Sequence, residues 1–475
     1  MESDFNYIRN RISDHKKDDL LEFCYNLLDS KRGENFPIWY VFILMKWTFI
    51  YGGNRYPPKQ LNPDRFNRIY NAISNFNQEH ISSFLKAKRA DKAFQILYNQ
   101  QFYLQKTVYK EIFATQLKLF SGLKSKYDVE QSFKDKTGFS ILDFIFIEQV
   151  VWLYINIKEL KKPGLYFDGV LEDHFLNMVA EITSIDKVKS FLNLLTLNPF
   201  NISESISKFK HKINKEDLQT MEMTFFTMFP FQVFKTQIKL VHESVFNHTI
   251  NYYVYDFLKS HDNDFTTEFG YRLEKYIGLG LKEMNLKYVP ETEIKKVLPP
   301  KSNLVDFLVE ENIFIESKAT EIQAYPNVNP TDELIYSSLK SSIFKAYFEQ
   351  LVSVSKELNP NSENWGIIIT YKELFWSHFS KLFEIGKDKY ESIQDYTHLP
   401  PQNVFIIDIY TWDKVVQIVK DKKATLLQIL QSAKLNNSKP ETSKQLFSMH
   451  LDIYYPMKFD LSYLQEEIKM LDIRA

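Results

Sequence analysis

The stretch NLVDFLVEENIFIESKAT, residues 303–320, decides how the second half of this chain is built. Apolar runs lie on either side of Glu310, Glu311 and Asn312, the pattern of two short strands joined by a tight turn. Successive side chains on a strand point to opposite faces, so Glu316 and Lys318 share one face and Ser317 takes the other. A three-residue turn pairs Val309 with Ile313, and that antiparallel register sets Asp306 directly opposite Glu316, with about 5 Å between their Cβ atoms. A two-residue turn would shift the register by one and send Asp306 to the other face.

Outward from this hairpin, residues 264–285 read as a helix, 287–297 as a preceding strand, and 332–358 as a long helix that follows. Two apolar strands come next, WGIIIT at 365–370 and NVFIIDI at 403–409, with a helix between them and another from 411 onward. This order predicts mixed α/β structure around a central mixed sheet. Residues 1–250 carry apolar positions at three- and four-residue spacing with few alternations, so an all-α region is expected there, with a candidate subdivision near 125. Turn formers cluster at 52–58, 121–138, 162–164 and 198–205. LNNSKPETSK at 435–444 has linker composition, and 446–455 and 460–471 read as a strand and a helix in a small C-terminal appendage.

Two carboxylates held side by side repel each other and take up a proton unless a divalent cation neutralises them. An ammonium beside such an ion steers a water and offsets charge that develops on a phosphoryl group. With Asp306, Glu316 and Lys318 in this order of elements, residues 262–422 resemble the PD-(D/E)xK phosphodiesterase superfamily, which includes many restriction endonucleases and DNA-repair nucleases. The resemblance implies a restriction-endonuclease-like α/β core. It also implies that Asp306 and Glu316 hold Mg²⁺ or Mn²⁺, that Lys318 acts on the attacking water, and that Glu274, in FGYRLEKYIGLG on the preceding helix, completes the metal set. Gln350, in KAYFEQL on the following helix, is similar to a glutamine that several nuclease branches place near the cleft. Val305 stands where the superfamily motif has Pro.

Each of these residues has a plainer reading: an incidental ion pair for Glu316 and Lys318, a solvated helix position for Glu274 and a surface position for Gln350. E-x-K triplets also occur at Glu159/Lys161, Glu293/Lys295 and Glu467/Lys469, so the triplet alone decides little. What sets Glu316/Lys318 apart is its apolar strand and an Asp at register distance. Gly270 and Gly278 flank Glu274 four residues to either side, and small neighbours would let a sheet and a metal come close.

Composition narrows the alternatives. With 59 basic and 60 acidic residues, the formal charge of −1 gives no global positive field, so any nucleic-acid surface must be local. Candidates are KFKHKINK at 208–215 and Lys124, Lys126, Lys134 and Lys136, each more readily read as a solvated helix face or loop. The single cysteine, Cys24, excludes an intramolecular disulfide and a multi-thiolate zinc site, which fits a reducing, cytoplasmic setting. The most apolar stretch, residues 37–53, is under the ~20 residues a bilayer span needs and contains Lys46, so a buried helix is expected and no membrane span. There is no P-loop, HExxH, GxSxG elbow or strand-linked GxGxxG, so no nucleotide cofactor is expected.

The chain thus reads as α+β: a helical recognition or sensor region at 1–250, a nuclease-like domain at 262–430 and an appendage at 445–475. The function implied is a metal-dependent nuclease of nucleic acid, DNA before RNA, in an architecture similar to prokaryotic anti-phage defence proteins. Implied partners are the nucleic acid, a protein activator or phage component at the helical region, and a second copy of the chain. The alternatives are an RNA-directed nuclease of the same fold, acting for example on tRNA, and a non-enzymatic helical adaptor whose nuclease-like domain is inactive.

Overall fold

The computed structural model describes residues 5–30, 37–101, 108–124, 126–156, 164–166, 173–197, 202, 205, 218–219, 222–235, 237–376, 379–390, 395–439 and 441–472. The fold is α+β, with helices packed around two sheets among the described residues. The larger sheet has the order β5-β6-β7-β8-β9, formed by Tyr288–Pro290, Phe307–Val309, Ile313–Lys318, Trp365–Thr370 and Val404–Asp408. Neighbours β5, β6 and β7 run antiparallel, whereas β7, β8 and β9 run parallel.

The expected register is found: Val309 pairs with Ile313, Leu308 with Phe314 and Phe307 with Ile315. The turn between them has positive φ at Glu310 and Glu311, a conformation usually left to Gly or Asn. The backbone carbonyl of Glu311 is held by Asn359, and Asn312 donates to the Glu363 carbonyl at 2.9 Å, so neighbouring loops stabilise a turn its own residues disfavour. Every residue of β8 and β9 is buried, as parallel strands covered on both faces require.

The covering layers differ. Phe314, Ile368, Val404 and Ile406 face a core built with Ile335, Leu339, Ile343 and Leu351 of the long helical run that spans 332–358. That run is α-helical at Asp332–Leu339 and Val352–Leu358, and π-helical at Lys340–Phe344 and Ala346–Leu351. Ile313, Ile315, Ile367, Ile369, Phe405 and Ile407 face a second, larger core that continues without a break into the N-terminal helices. The helix Phe265–Glu283 lies in that layer and docks on the helix Ile409–Lys420, which Asp408 caps by accepting from the Thr411 N–H at 2.9 Å.

Four expectations are corrected. The first 250 residues are not all helical: Gly164–Tyr166, Thr196–Leu197, Phe231–Phe234 and Gln237–Leu240 form a second sheet, β1 to β4, in the order β1-β4-β3-β2. These strands have four residues or fewer, too short for an alternation to stand out, and Lys235 takes the positive φ that ends β3, where no Gly or Asn marks a turn. Residues 287–297 are not one strand, since Pro290 ends β5 and starts the helix Glu291–Val297. Proline lacks the N–H a ladder needs, and the helix has acids in its first turn and lysines in its last, matching its dipole. Residues 446–455 are a helix, Phe447–Tyr454, whose buried Phe447, His450 and Leu451 follow a three- and four-residue spacing; the helix Leu426–Asn437 also runs into the expected linker.

The apolar stretch near the N-terminus is the helix Ile38–Tyr51, buried on all sides. Its Lys46 is buried in an ion pair with Glu222. Among the described residues no single helix is long and apolar enough to cross a membrane; Val129–Thr137 and Ile141–Asn156 satisfy length and composition only together, and they are bent by 63°.

Candidate functional site

Where β6 begins, the chain brings several charged groups together. Asp306 is the residue before β6, and its backbone is fixed on both sides: its N–H donates to Glu316 Oε2 at 3.2 Å, and its carbonyl accepts from the Glu291 N–H at 2.9 Å. The Asp306 carboxylate Oδ2 accepts from the Ser317 N–H at 2.7 Å and the Ser317 hydroxyl at 2.5 Å. Ser317 shares the strand face of Ile313 and Ile315, while Glu316 and Lys318 share that of Phe314. The last step of the ladder therefore splits the acids between two layers.

On the Phe314 side, Glu316 is 2% exposed. Its Oε1 accepts from Lys318 Nζ at 2.5 Å and from Gln350 Nε2 at 2.7 Å. Gln350 lies in the π-helical stretch Ala346–Leu351, where the wider turn re-aims side chains. Its Nε2 also donates to the Leu304 carbonyl at 2.9 Å, and its Oε1 is buried with no partner among the described residues.

On the other side, one carboxylate oxygen from each of Glu274, Glu291 and Asp306 lies within 4.8 Å of the other two. Of the expected metal set of Asp306, Glu316 and Glu274, this group contains Asp306 and Glu274. Asp306 meets Glu274 and Glu291, whereas Glu316, engaged by Lys318 and Gln350, is not one of the three. Glu291 is absent from the expected set because its segment reads as strand. Pro-Glu-Thr-Glu ahead of Lys-Lys is a helix-start signature that would have placed it.

Acids facing acids leave an electrostatic mark. Burial first, then Asp306 and Glu291, push the Glu274 carboxyl up to about 7. Burial first, then Asp306, push Glu316 up to about 8, against the opposing pull of Lys318 and Gln350. Asp306 is raised by burial and pulled back by its Ser317 bonds and Lys318.

The glycine stripe behaves differently from expectation. A Cβ at Gly278 would make ordinary contact with Phe307 at 3.6 Å, and one at Gly270 would meet nothing within 4 Å. It is Gly280 that the packing requires, because a Cβ there would lie 2.6 Å from Trp412 Nε1 and 2.8 Å from Val416 Cγ2. Of the other E-x-K triplets, Glu293/Lys295 and Glu467/Lys469 lie on helices, where residues two apart diverge, and Glu159/Lys161 lies outside the described residues. Residues 208–215 also lie outside them, while Lys124, Lys126, Lys134 and Lys136 are exposed.

Three carboxylate oxygens this close, two of them raising the Glu274 carboxyl, are donors of the kind that could hold a hard divalent cation. Compared with family models, curated proteins and solved structures, the chain matches none, and the chemistry of this site rests on its own residues.

Proposed function

We propose that this chain is a metal-dependent phosphodiesterase that hydrolyses a nucleic-acid backbone, DNA before RNA. The observation that carries the reading is the cluster of Glu274, Glu291 and Asp306 oxygens within 4.8 Å of one another beside the Glu316–Lys318 pair. A helix, an antiparallel β5-β6-β7 unit, a long helix and the parallel strands β8 and β9 also support a restriction-endonuclease-like core, as the PD-(D/E)xK resemblance implies.

Glu274, Glu291 and Asp306 would hold Mg²⁺ or Mn²⁺, the smaller hard cations that oxygen donors favour. When bound, such an ion polarises a phosphoryl oxygen and lowers the pKa of a bound water. The remaining work falls to the chain itself. Glu316 fixes the Lys318 ammonium from the same strand at 2.5 Å, and Gln350 fixes Glu316, so a positive charge is held next to the acids before any substrate arrives. Charge already in place at the site of developing negative charge costs no reorganisation during reaction. With its carboxyl pushed up to about 8, Glu316 is also poised to exchange a proton near neutral pH.

Purified protein incubated with DNA and with RNA, in Mg²⁺ or Mn²⁺ with and without EDTA, tests this directly. Cleavage should require the cation and fall by about 10²- to 10⁴-fold in Lys318→Ala, with thermal unfolding unchanged. Nucleic-acid binding without cation-dependent cleavage would replace the enzyme with a binding protein. Cleavage confined to RNA would move the substrate class and keep the site.

A further inference from the structure

A large aromatic side chain that remains exposed beside charged groups asks for an occupant. Tyr271 is 59% exposed on the helix Phe265–Glu283, three residues before Glu274 and four before Lys275, so all three share one surface of the helix. One flank carries lysines, with Asp128 and Glu130 further along the same segment: the exposed Lys275 donates to the Lys124 carbonyl at 3.0 Å, bringing the exposed Lys124 and Lys126 alongside the helix. The loop is fixed there, because the buried Arg272 donates to the carbonyls of Leu119 and Phe120 at 3.1 and 3.0 Å.

We infer that Tyr271 is a stacking platform for an unpaired base of a single-stranded or locally opened nucleic acid, with Lys124, Lys126 and Lys275 meeting its phosphates. An exposed phenol ring offers a flat face that any base can cover, whereas a paired base inside a duplex keeps its faces against its neighbours. Lysines around a ring complement a polyanion and would repel a basic partner. The inference deepens the phosphodiesterase reading and rests on it for the direction of the strand: stacking at Tyr271 sets the backbone one helical turn from Glu274.

The test reads binding apart from cleavage. Fluorescence anisotropy of the full chain in calcium is measured with labelled single-stranded DNA, single-stranded RNA of the same sequence, and the matching DNA duplex. Tyr271→Ala should weaken single-strand binding by about 5- to 150-fold, while Tyr271→Trp retains it and duplex binding moves by less than about twofold. Lys275→Ala should lower the salt dependence of single-strand binding by roughly one phosphate equivalent. Unchanged single-strand affinity in Tyr271→Ala, equal losses on single strand and duplex, or no single-strand binding by the unsubstituted chain would each overturn the platform. Tyr271-dependent binding in a protein that cleaves nothing would uphold the platform and remove the nuclease. Cation-dependent cleavage with Tyr271-independent binding would do the reverse.

Discussion

Asp413 and Glu274 each have a carboxyl pushed up to about 7, with burial the first cause in both, yet they sit among opposite neighbours. Asp413, on the helix Ile409–Lys420, accepts from Thr115 at 3.1 Å, from Tyr276 at 2.9 and 3.0 Å, and from Tyr463 at 2.7 Å. Hydroxyls from three separate segments converge on a single acid. Glu274 meets two further acids, Glu291 and Asp306. A raised carboxyl is therefore not in itself a functional signature. At Asp413 the desolvation is answered by donors and the arrangement is complete; at Glu274 the neighbours add to the cost, which a bound proton or a cation would relieve.

Removing each acid in turn should make different things fail. Asp413→Ala strands the hydroxyls of Thr115, Tyr276 and Tyr463 in the interior, so denaturant unfolding should show a loss of about 2–4 kcal/mol. Cation binding should be untouched. Glu291→Gln removes one of three candidate ligands from a half-buried rim, so stability should hold while Mn²⁺ affinity, read by titration calorimetry, falls by about 10- to 100-fold. A Glu291→Gln variant that binds Mn²⁺ as well as the parent would sink the cation assignment. Equal loss of Mn²⁺ binding in Asp413→Ala would show that the two regions are not independent.

pH separates the same two regions through one sign. Glu274 and Glu316 rise from an ordinary value near 4.5 to about 7 and about 8, and Asp413 rises from 3.8 to about 7. Between those limits the folded chain binds more protons than the unfolded chain, so stability is greatest below the unfolded values and falls as pH rises through about 7 to 8. In EDTA, Tm should decline across that window. Adding Mn²⁺ should recover the Glu274 share and leave the Asp413 and Glu316 shares lost; Asp413→Asn should remove the Asp413 part of what Mn²⁺ does not recover. A decline that Mn²⁺ does not alter would mean the cluster takes no cation.

The two regions also differ in how far they can be read from sequence. Asp306, Glu316 and Lys318 were legible because a strand's two-residue period and a three-residue turn fix the register by arithmetic, and the pairing of Val309 with Ile313 follows it. The direction of the Asp306 carboxylate was not legible. It depends on Ser317 donating twice, a choice made where the ladder ends and alternation no longer constrains the side chain. The donors of Asp413 come from 298, 137 and 50 residues away, distances at which no local pattern speaks. Nor did periodicity expose β1 to β4, whose pairing is decided by packing against helices.

The smallest expected effect concerns the helix that carries Glu274, and it separates two glycines that look alike in sequence. At Gly280 the Trp412 and Val416 side chains already occupy the place of a Cβ, so Gly280→Ala should displace the helix from Ile409–Lys420 and lose about 1–3 kcal/mol. Gly270 has open space and a helical backbone, so Gly270→Ala should gain about 0.5–1 kcal/mol by restricting the unfolded chain. Chemical denaturation of the two variants reads both signs. Because Glu274 lies between them on one helix, Gly280→Ala should also weaken Mn²⁺ binding and Gly270→Ala should not. If both substitutions cost stability equally, the close approach at Trp412 is not what docks this helix against the C-terminal layer.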